Sequence, residues 1–343
     1  MSTRNKRLLL LVVWLAPIAG VAWWASKQRA PAFPSSRSGI LALAGALALY
    51  AVATLMRGER WVRILRRSDV RAERGDAYAL VPIGYMGNNV LPARGGELLR
   101  TFLLGGRAQA TKRTILGTIL AERVLDAVAL GVILVALAAG LLRKLPKPHE
   151  AVLLGGGALL LLLAIAVVVA LLRFRERLVF VLRALAPMAA PTRQLLSPLG
   201  VVLLLVSLLI WLVEASVYIA VGHAAGISLG VQDGLAVVAF TNAAALIPAA
   251  PGYIGTYDAA VIFAVDAVST AAKSSVLSYL LLLRFVLFVP ITIAGLGLLV
   301  VRYGGLLVVR AGGGRGGGRV ATAWRPRPQS SLRVPGSRRC ASA

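Results

Sequence analysis

The sequence predicts an all-α, polytopic membrane helical bundle, and three observations favour this fold class. The 343 residues are 58% hydrophobic with a mean hydropathy of +0.80, whereas soluble domains are roughly half apolar. Several apolar runs reach the roughly 20 residues that a hydrocarbon core of about 30 Å requires. Two Pro- and Gly-containing breaks that carry charged residues interrupt shorter apolar runs. Such backbone is tolerated at membrane depth only inside protein or beside a water-filled cavity.

The net charge of +25 is carried mainly by arginines in connecting segments and in the C-terminal tail, with few aromatics among them. This distribution favours cytoplasmic loops and contact with anionic lipid head groups over nucleic-acid binding. The single cysteine, Cys340, excludes an intrachain disulfide framework. Two histidines that are far apart in sequence do not predict a metal site, and we expect no cofactor.

Apolar runs of spanning length predict about six full spans. They are residues 8–25, 40–56, 115–142, 151–172, 198–221 and 279–301. The first run could be a cleaved signal peptide, but Trp23 and Trp24 followed by basic residues favour a retained span with an interfacial belt.

The arginine distribution predicts the topology. Residues 57–74 and 173–193 are basic, and we expect both to be solvated cytoplasmic connectors, whereas residues 222–234 contain no Lys or Arg and are placed outside. Both termini are then cytoplasmic, and the expected location is the cell membrane. Residues 1–310 form the predicted membrane domain, and the Gly/Arg-rich residues 311–343 form a predicted disordered tail.

Two segments must begin and end on the same side under this topology, residues 77–113 inside and residues 235–275 outside. Each contains two short apolar pieces that are joined by a break, so we predict two oppositely oriented re-entrant hairpins. The alternative is that each hairpin is two complete spans. The predicted break residues are Pro92, Gly95 and Gly96 in the first hairpin and Pro248, Pro251, Gly252 and Gly255 in the second.

The two halves match in kind, since each reads span, hairpin, span. Glu97 precedes Arg123 by 26 residues, and Asp258 precedes Arg284 by 26 residues. Inverted repeats with broken helices at the midplane are a common plan for transporters. We therefore predict an inverted repeat.

Several of these residues carry a resemblance to a known family. They are Asn88-Asn89-Val90-Leu91-Pro92, Arg94, Gly96, Glu97, Arg100, Glu122-Arg123-Val124-Leu125-Asp126, Ile247-Pro248, Pro251-Gly252, Gly255 and Arg284. With them the chain resembles the lysylphosphatidylglycerol synthase transmembrane family of flippase-like proteins. The resemblance implies a membrane domain that moves a lipid, or a lipid-linked molecule, between leaflets. Two departures are that Asp258 stands where the family usually has Glu, and Gly252-Tyr253 where it usually has paired Gly.

Four intramembrane arginines are candidates to bind a head-group phosphate, because guanidinium offers bidentate donors. They are Arg94, Arg100, Arg123 and Arg284. Their alternative role is in internal salt bridges or as snorkelling residues. Arg123 could pair with Asp126, which lies three residues later on one helical face. Glu122 and Asp126 share a helical face, and two ionised carboxylates there would repel each other. This favours a cation between them, which could be Arg284, Arg100 or the substrate.

The acids Glu97, Asp258 and Glu214 are candidates for proton coupling, and the first two could instead cap broken helices. We expect Asn88 to satisfy freed backbone at the first break or to contact substrate. The lead function is a lipid translocase that is not an enzyme and binds lipids with anionic or phosphate-bearing head groups. The alternatives are a transferase with Glu97 or Asp258 as general base, and a scaffold subunit. The chain has no nucleophile set or phosphate loop of a familiar pattern, so no catalytic residue is predicted.

Overall fold

The computed structural model describes residues 33–91, 94–144, 191–244 and 251–312, and these parts of the chain are helical without any strand. The all-α prediction is therefore confirmed for them. The α-helices with described bounds are α1 (Arg37–Arg67), α2 (Arg74–Val90), α3 (Gly95–Gly105), α4 (Lys112–Lys144), α5 (Pro198–Ala224), α6 (Val231–Ala244), α7 (Thr256–Val268) and α8 (Lys273–Gly312). Short 3-10 helices lie at Gln194–Leu196 and Pro251–Tyr253.

The chain divides into two compact units, Met1–Tyr303 and Gly304–Ala343. In the second unit, the described residues continue α8 to Gly312. The predicted spans 8–25 and 151–172, and nearly all of the predicted tail, lie outside the described residues.

Within the described residues, three helices are long and apolar enough to cross a membrane, namely α1, α5 and the part of α8 up to Gly304. They contain the predicted spans 40–56, 198–221 and 279–301. The predicted span 115–142 lies within α4, a helix of 33 residues. These apolar helices identify the chain as a membrane protein.

Helix α1 corrects the prediction for residues 57–74, because it continues through the supposed connector to Arg67. Arg57 and Arg60 are buried, with 5% and 1% of their surface exposed. They follow the buried Ala46 and Ala53 at helical spacing, so the buried face of the apolar span extends into the arginine-rich stretch. The loop itself is confined to residues 68–73.

Helix α1 packs antiparallel along α5. At one end, a Cβ on Gly39 would lie 3.8 Å from the Cα of Ala224. Toward the other end, Arg60 Nη1 donates to Ser207 Oγ at 2.7 Å. This pair forms one wall of the site described below.

Helices α2 and α3 form a tight antiparallel hairpin whose crossing depends on glycines. A Cβ on Gly96 would lie 1.9 Å from the carbonyl oxygen of Gly84, so only glycine fits at that position. Asn88 Oδ1 accepts a hydrogen bond from the Gly96 N–H at 3.0 Å and so satisfies a donor in the first turn of α3.

The open end of this hairpin is tied to α8 by one carboxylate. Asp76 Oδ1, in the first turn of α2, accepts from Arg107 Nη1 at 2.7 Å, from Arg302 Nε at 2.9 Å and from the Tyr303 hydroxyl at 2.9 Å. Arg107 follows the end of α3, so α3 returns to the level at which α2 begins.

Helices α6 and α7 form the second pair. The first turns of α6 pack against the end of α5, where Gly234 lies beside Ile219. The end of α7 is joined to the start of α8 by an ion pair between Asp266 and Lys273 at 2.5 Å. A buried core of apolar and aromatic side chains is shared by α1, α4, α5, α6, α7 and α8.

Candidate functional site

The breaks of the two hairpins touch each other. A Cβ on Gly252 would lie 3.6 Å from the carbonyl oxygen of Asn89. Across the same contact, Arg94 Nε donates to the Tyr253 hydroxyl at 3.3 Å. The backbone is left-handed at Arg94 (φ 57°), Gly252 (φ 66°), Tyr253 (φ 55°) and Gly255 (φ 91°). Two of these residues are not glycine, so the breaks hold backbone strain of a kind that clusters at functional sites.

A cavity of about 110 Å³ opens beside this junction. It is surrounded by α1, α2, α4, α5, α6, α7, α8 and both breaks. Its lining residues are Tyr50, Arg57, Tyr85, Asn88, Asn89, Arg94, Arg123, Asp126, Trp211, Glu214, Tyr218, Asn242, Tyr253, Tyr257, Leu287, Phe288 and Ile291. Arginines, carboxylates, amides and aromatic rings therefore share one chamber.

The cation between Glu122 and Asp126 is Arg60, which the sequence interpretation had assigned to a solvated loop. Arg60 Nη1 lies 2.7 Å from Asp126 Oδ1, and Arg60 Nη2 lies 4.0 Å from Glu122 Oε1. The proposal of Arg284 for this position is wrong, because Arg284 pairs with Asp258. Helix α1 supplies this charge because its buried face extends beyond the apolar run.

Arg100 is the second cation on Glu122, with Nη2 lying 2.8 Å from Oε2. Its guanidinium stacks on Trp61 at 3.9 Å from the ring centroid, and the Trp61 indole N–H donates to Thr118 Oγ1 at 3.0 Å. Arg100 is 4% exposed and does not line the cavity. Its role is to fix α3 against α1 and α4.

Glu214 forms a buried ion pair with Arg57 on the cavity wall. The Arg57 guanidinium also lies over two aromatic rings, 5.9 Å from the centroid of Tyr85 and 5.4 Å from that of Trp211. Glu214 was a sequence candidate, but Arg57 was missed. The available signal was helical spacing, since Arg57 lies four residues after the buried Ala53.

Arg123 lies between two carboxylates and is bound tightly by neither. Its Nε is 3.3 Å from Glu97 Oε1, and its Nη1 is 3.4 Å from Asp126 Oδ2. Neither Arg123 Nε nor Glu97 Oε1 has a hydrogen-bond partner among the described residues. Arg123 therefore does pair with Asp126, as the spacing predicted, and Glu97 acts as an ion-pair partner.

Asp258 is bound more firmly than Glu97. Its Oδ2 accepts from the Gly255 N–H at 2.9 Å and caps α7, and its Oδ1 lies 2.5 Å from Arg284 Nε. Arg284 Nη1 also donates to the Gly252 carbonyl oxygen at 3.1 Å. Both side chains therefore hold the second break in place, and neither lines the cavity.

The structure divides the predicted site residues into two groups. The first group lines the cavity, and it consists of Asn88, Arg94, Arg123, Asp126 and Glu214. A second group supports the wall through ion pairs, and it consists of Glu97, Arg100, Glu122, Asp258 and Arg284.

The predicted break residues fall at the ends of the helices. A Cβ on Gly95 would meet the Leu91 side chain at 2.9 Å, and Pro251 begins the short helix that precedes α7. Pro92 and Pro248 lie outside the described residues.

The aromatic lining was not predicted. Tyr218 and Tyr257 approach each other with their hydroxyls 3.0 Å apart, and Tyr218 also lies 3.2 Å from Thr241 Oγ1. On α5, Trp211, Glu214 and Tyr218 recur at helical spacing within an apolar span. That stripe is the signal that could have located this wall.

Comparisons with known proteins assign the chain to a family. The chain matches the family described as the Lysylphosphatidylglycerol synthase TM region over residues 8–295. It is similar to Glycosyltransferase AglD of Haloferax volcanii, at 33% identity over 101 residues, which cover 28% of this chain and 16% of that protein. No solved structure matches the chain. Because the family match covers most of the sequence, the chain belongs to the lysylphosphatidylglycerol synthase transmembrane family.

Proposed function

We propose that this protein moves a polar-headed lipid, or a lipid-linked molecule, between the leaflets of the cell membrane. The observation that carries the proposal is the charged cavity at the contact between two broken hairpins, inside a bundle that contains long apolar helices. A charge at the bilayer centre costs roughly 2.5 kcal/mol or much more. Arginine and amide groups on the cavity wall would replace the water that a head group loses, and so lower this barrier.

Helix lengths support re-entrant hairpins over pairs of complete spans. Helix α2 has 17 residues and α3 has 11, which correspond to lengths of about 26 and 17 Å. Helix α7 has 13 residues, or about 20 Å. Helices α2, α3 and α7 are all shorter than a hydrocarbon core of about 30 Å. The proposed arrangement has hairpins that enter from opposite faces and meet near the midplane, with both termini cytoplasmic.

The ion pairs support the proposed inverted repeat. Glu97 pairs with Arg123 in the first half, and Asp258 pairs with Arg284 in the second, at the same sequence interval. Each pair connects a helix that follows a break to the next long helix. Transporters built from inverted repeats place their substrate site where such broken helices meet.

A membrane-embedded transferase is the second candidate, because the similar Haloferax protein is named a glycosyltransferase. The residue that would serve as general base is Glu97, whose Oε1 lacks a hydrogen-bond partner among the described residues. We favour transport without catalysis because the shared region covers 16% of that relative.

The test is translocation of fluorescent phosphatidylglycerol by the purified protein in vesicles, followed by quenching of the label in the outer leaflet. We expect wild-type protein to exceed the empty-vesicle background and Arg123→Ala to lie near it. Arg66→Ala is the matched control, because Arg66 is exposed near the end of α1 and does not line the cavity. Wild-type rates equal to those of empty vesicles would refute the proposal. A product formed from lipid and a glycosyl donor by this chain alone would favour the transferase.

A further inference from the structure

Among the described residues, the charges around the cavity are paired one to one, with a single exception. The arginines at positions 57, 60, 100, 123 and 284 each lie within 3.3 Å of a different carboxylate. Arg94 has no carboxylate within ion-pair distance among the described residues. Its partner is Tyr253, through the hydroxyl at 3.3 Å and the ring face at 5.8 Å. Counting each of these six arginines as +1 and each of their five carboxylate partners as −1, the described part of the cluster has one uncompensated positive charge.

This uncompensated charge lies on the cavity wall and its backbone is fixed. Arg94 lines the cavity, and its left-handed backbone (φ 57°) leads directly into α3. The packing of Gly96 against α2 and the contact with Tyr253 hold this conformation from both sides. A charge that is partly withdrawn from water is costly unless a counter-charge or water compensates it.

Arg123, on the same wall, also retains binding capacity. Its contacts with Glu97 and Asp126 are ion pairs longer than 3.2 Å, and its Nε makes no hydrogen bond with the described residues. Arg94 and Arg123 therefore present guanidinium donors to the same chamber. Guanidinium groups bind phosphate oxygens strongly because they donate two parallel charge-assisted hydrogen bonds.

We propose that the cavity selects head groups with one net negative charge, such as a simple phosphodiester, and that Arg94 sets this preference. One negative charge neutralises the cluster. A zwitterionic head group leaves the excess positive charge in place, a cationic head group adds to it, and a phosphomonoester dianion reverses it. This inference rests on the proposed translocation and specifies its substrate class.

The experiment compares wild-type protein with three Arg94 variants in vesicles that contain labelled phosphatidylglycerol (net −1), phosphatidylcholine (net 0) or lysyl-phosphatidylglycerol (net +1). Wild-type protein moves phosphatidylglycerol about tenfold faster than phosphatidylcholine, which is the scale of losing one charged hydrogen bond. Arg94→Lys keeps this order, Arg94→Gln removes the preference, and Arg94→Glu favours the cationic lipid. Arg66→Gln removes one positive charge, as Arg94→Gln does, but at an exposed position outside the cavity. We expect it to leave the order of the three lipid rates unchanged.

The outcomes separate this inference from the proposed function. Equal wild-type rates for the three lipids, or a wild-type order in Arg94→Glu, would overturn charge selection while leaving translocation intact. Wild-type rates at the empty-vesicle background would instead overturn translocation. If the variants aggregate, binding of short-chain lipids to wild-type protein in detergent still decides, with isothermal titration calorimetry as the readout. Equal affinities for the anionic and zwitterionic lipids would then count against the inference.

Discussion

The ion pair between Arg57 and Glu214 gives a quantitative test of how the site is held together. The two side chains come from α1 and α5, and the residues are 5% and 6% exposed. Glu214→Gln removes one charge and leaves Arg57 buried without a carboxylate. Breaking a buried pair in this way costs roughly 3–5 kcal/mol. We therefore expect Glu214→Gln to lower the free energy of unfolding by about that amount.

The double variant Arg57→Met/Glu214→Leu has a different expected outcome. It removes both charges and places apolar groups of similar size in the bundle, so no uncompensated charge remains. Replacement of a whole buried pair is often close to neutral. The exposed pair of Arg63 with Glu59 is the control, since the side chains are 44% and 33% exposed. Arg63→Gln should cost less than about 1 kcal/mol.

The assay is unfolding of purified protein in mixed micelles with an increasing fraction of sodium dodecyl sulfate, followed by circular dichroism. The expected ranking by loss of stability is Glu214→Gln first, with the double variant and Arg63→Gln well below it. If Glu214→Gln costs no more than Arg63→Gln, the pair is not buried as described. If the double variant costs as much as the sum of its single changes, the uncompensated charge is not the source of the loss.

Two further predictions concern the packing and the end of the first hairpin. Gly96→Ala places a Cβ 1.9 Å from a carbonyl oxygen of α2 and should lower the free energy of unfolding by about 1–3 kcal/mol or more. The control is Gly297→Ala, which has open space around it and should leave thermal unfolding nearly unchanged. Burial would raise the pKa of Asp76, but hydrogen bonds led by those from Arg302 and Tyr303 outweigh it and hold the pKa below its ordinary value. The stabilisation from Asp76 is then present above that ordinary value, near 3.8, and is lost as the pH falls further. Asp76→Asn should remove this acid-dependent component from unfolding midpoints measured between about pH 7 and pH 3, and an unchanged pH profile would contradict the assignment.

The positions of the breaks were predictable from the sequence because their causes are local. Pro, Gly and charged residues between two apolar pieces disfavour a continuous lipid-facing helix, and α2 ends and α3 begins within four residues of the predicted interruption. The arginines of α1 were not assigned correctly because an arginine count locates a membrane face and not a helical face. Arg57 and Arg60 are buried, whereas Arg63, Arg66 and Arg67 are exposed on the same helix. Spacing from Ala53 separates Arg57 and Arg60 from Arg63 and Arg66, whereas Arg67 is exposed because it is the last residue of the helix.

The remaining residues of the cavity lining could not be predicted because they come from many separate elements. Tyr50 on α1, Asn242 on α6 and Phe288 on α8 share no sequence pattern, and only packing brings them together. Likewise, the contact between the breaks depends on Gly252 approaching the Asn89 carbonyl oxygen, a tertiary contact with no local signature.

The two ion pairs at matching intervals differ in how firmly they are bound, and this difference bears on mechanism. Asp258 uses both carboxylate oxygens, one on Arg284 at 2.5 Å and one on the Gly255 N–H at 2.9 Å. Glu97 Oε1 contacts Arg123 at 3.3 Å without a hydrogen bond. A carboxylate that caps a helix and binds an arginine cannot exchange partners without releasing the break. The short Asp258 suits this structural role. If the protein moves lipids as proposed, we infer that the first pair is the one in which Arg123 exchanges Glu97 for a head-group phosphate.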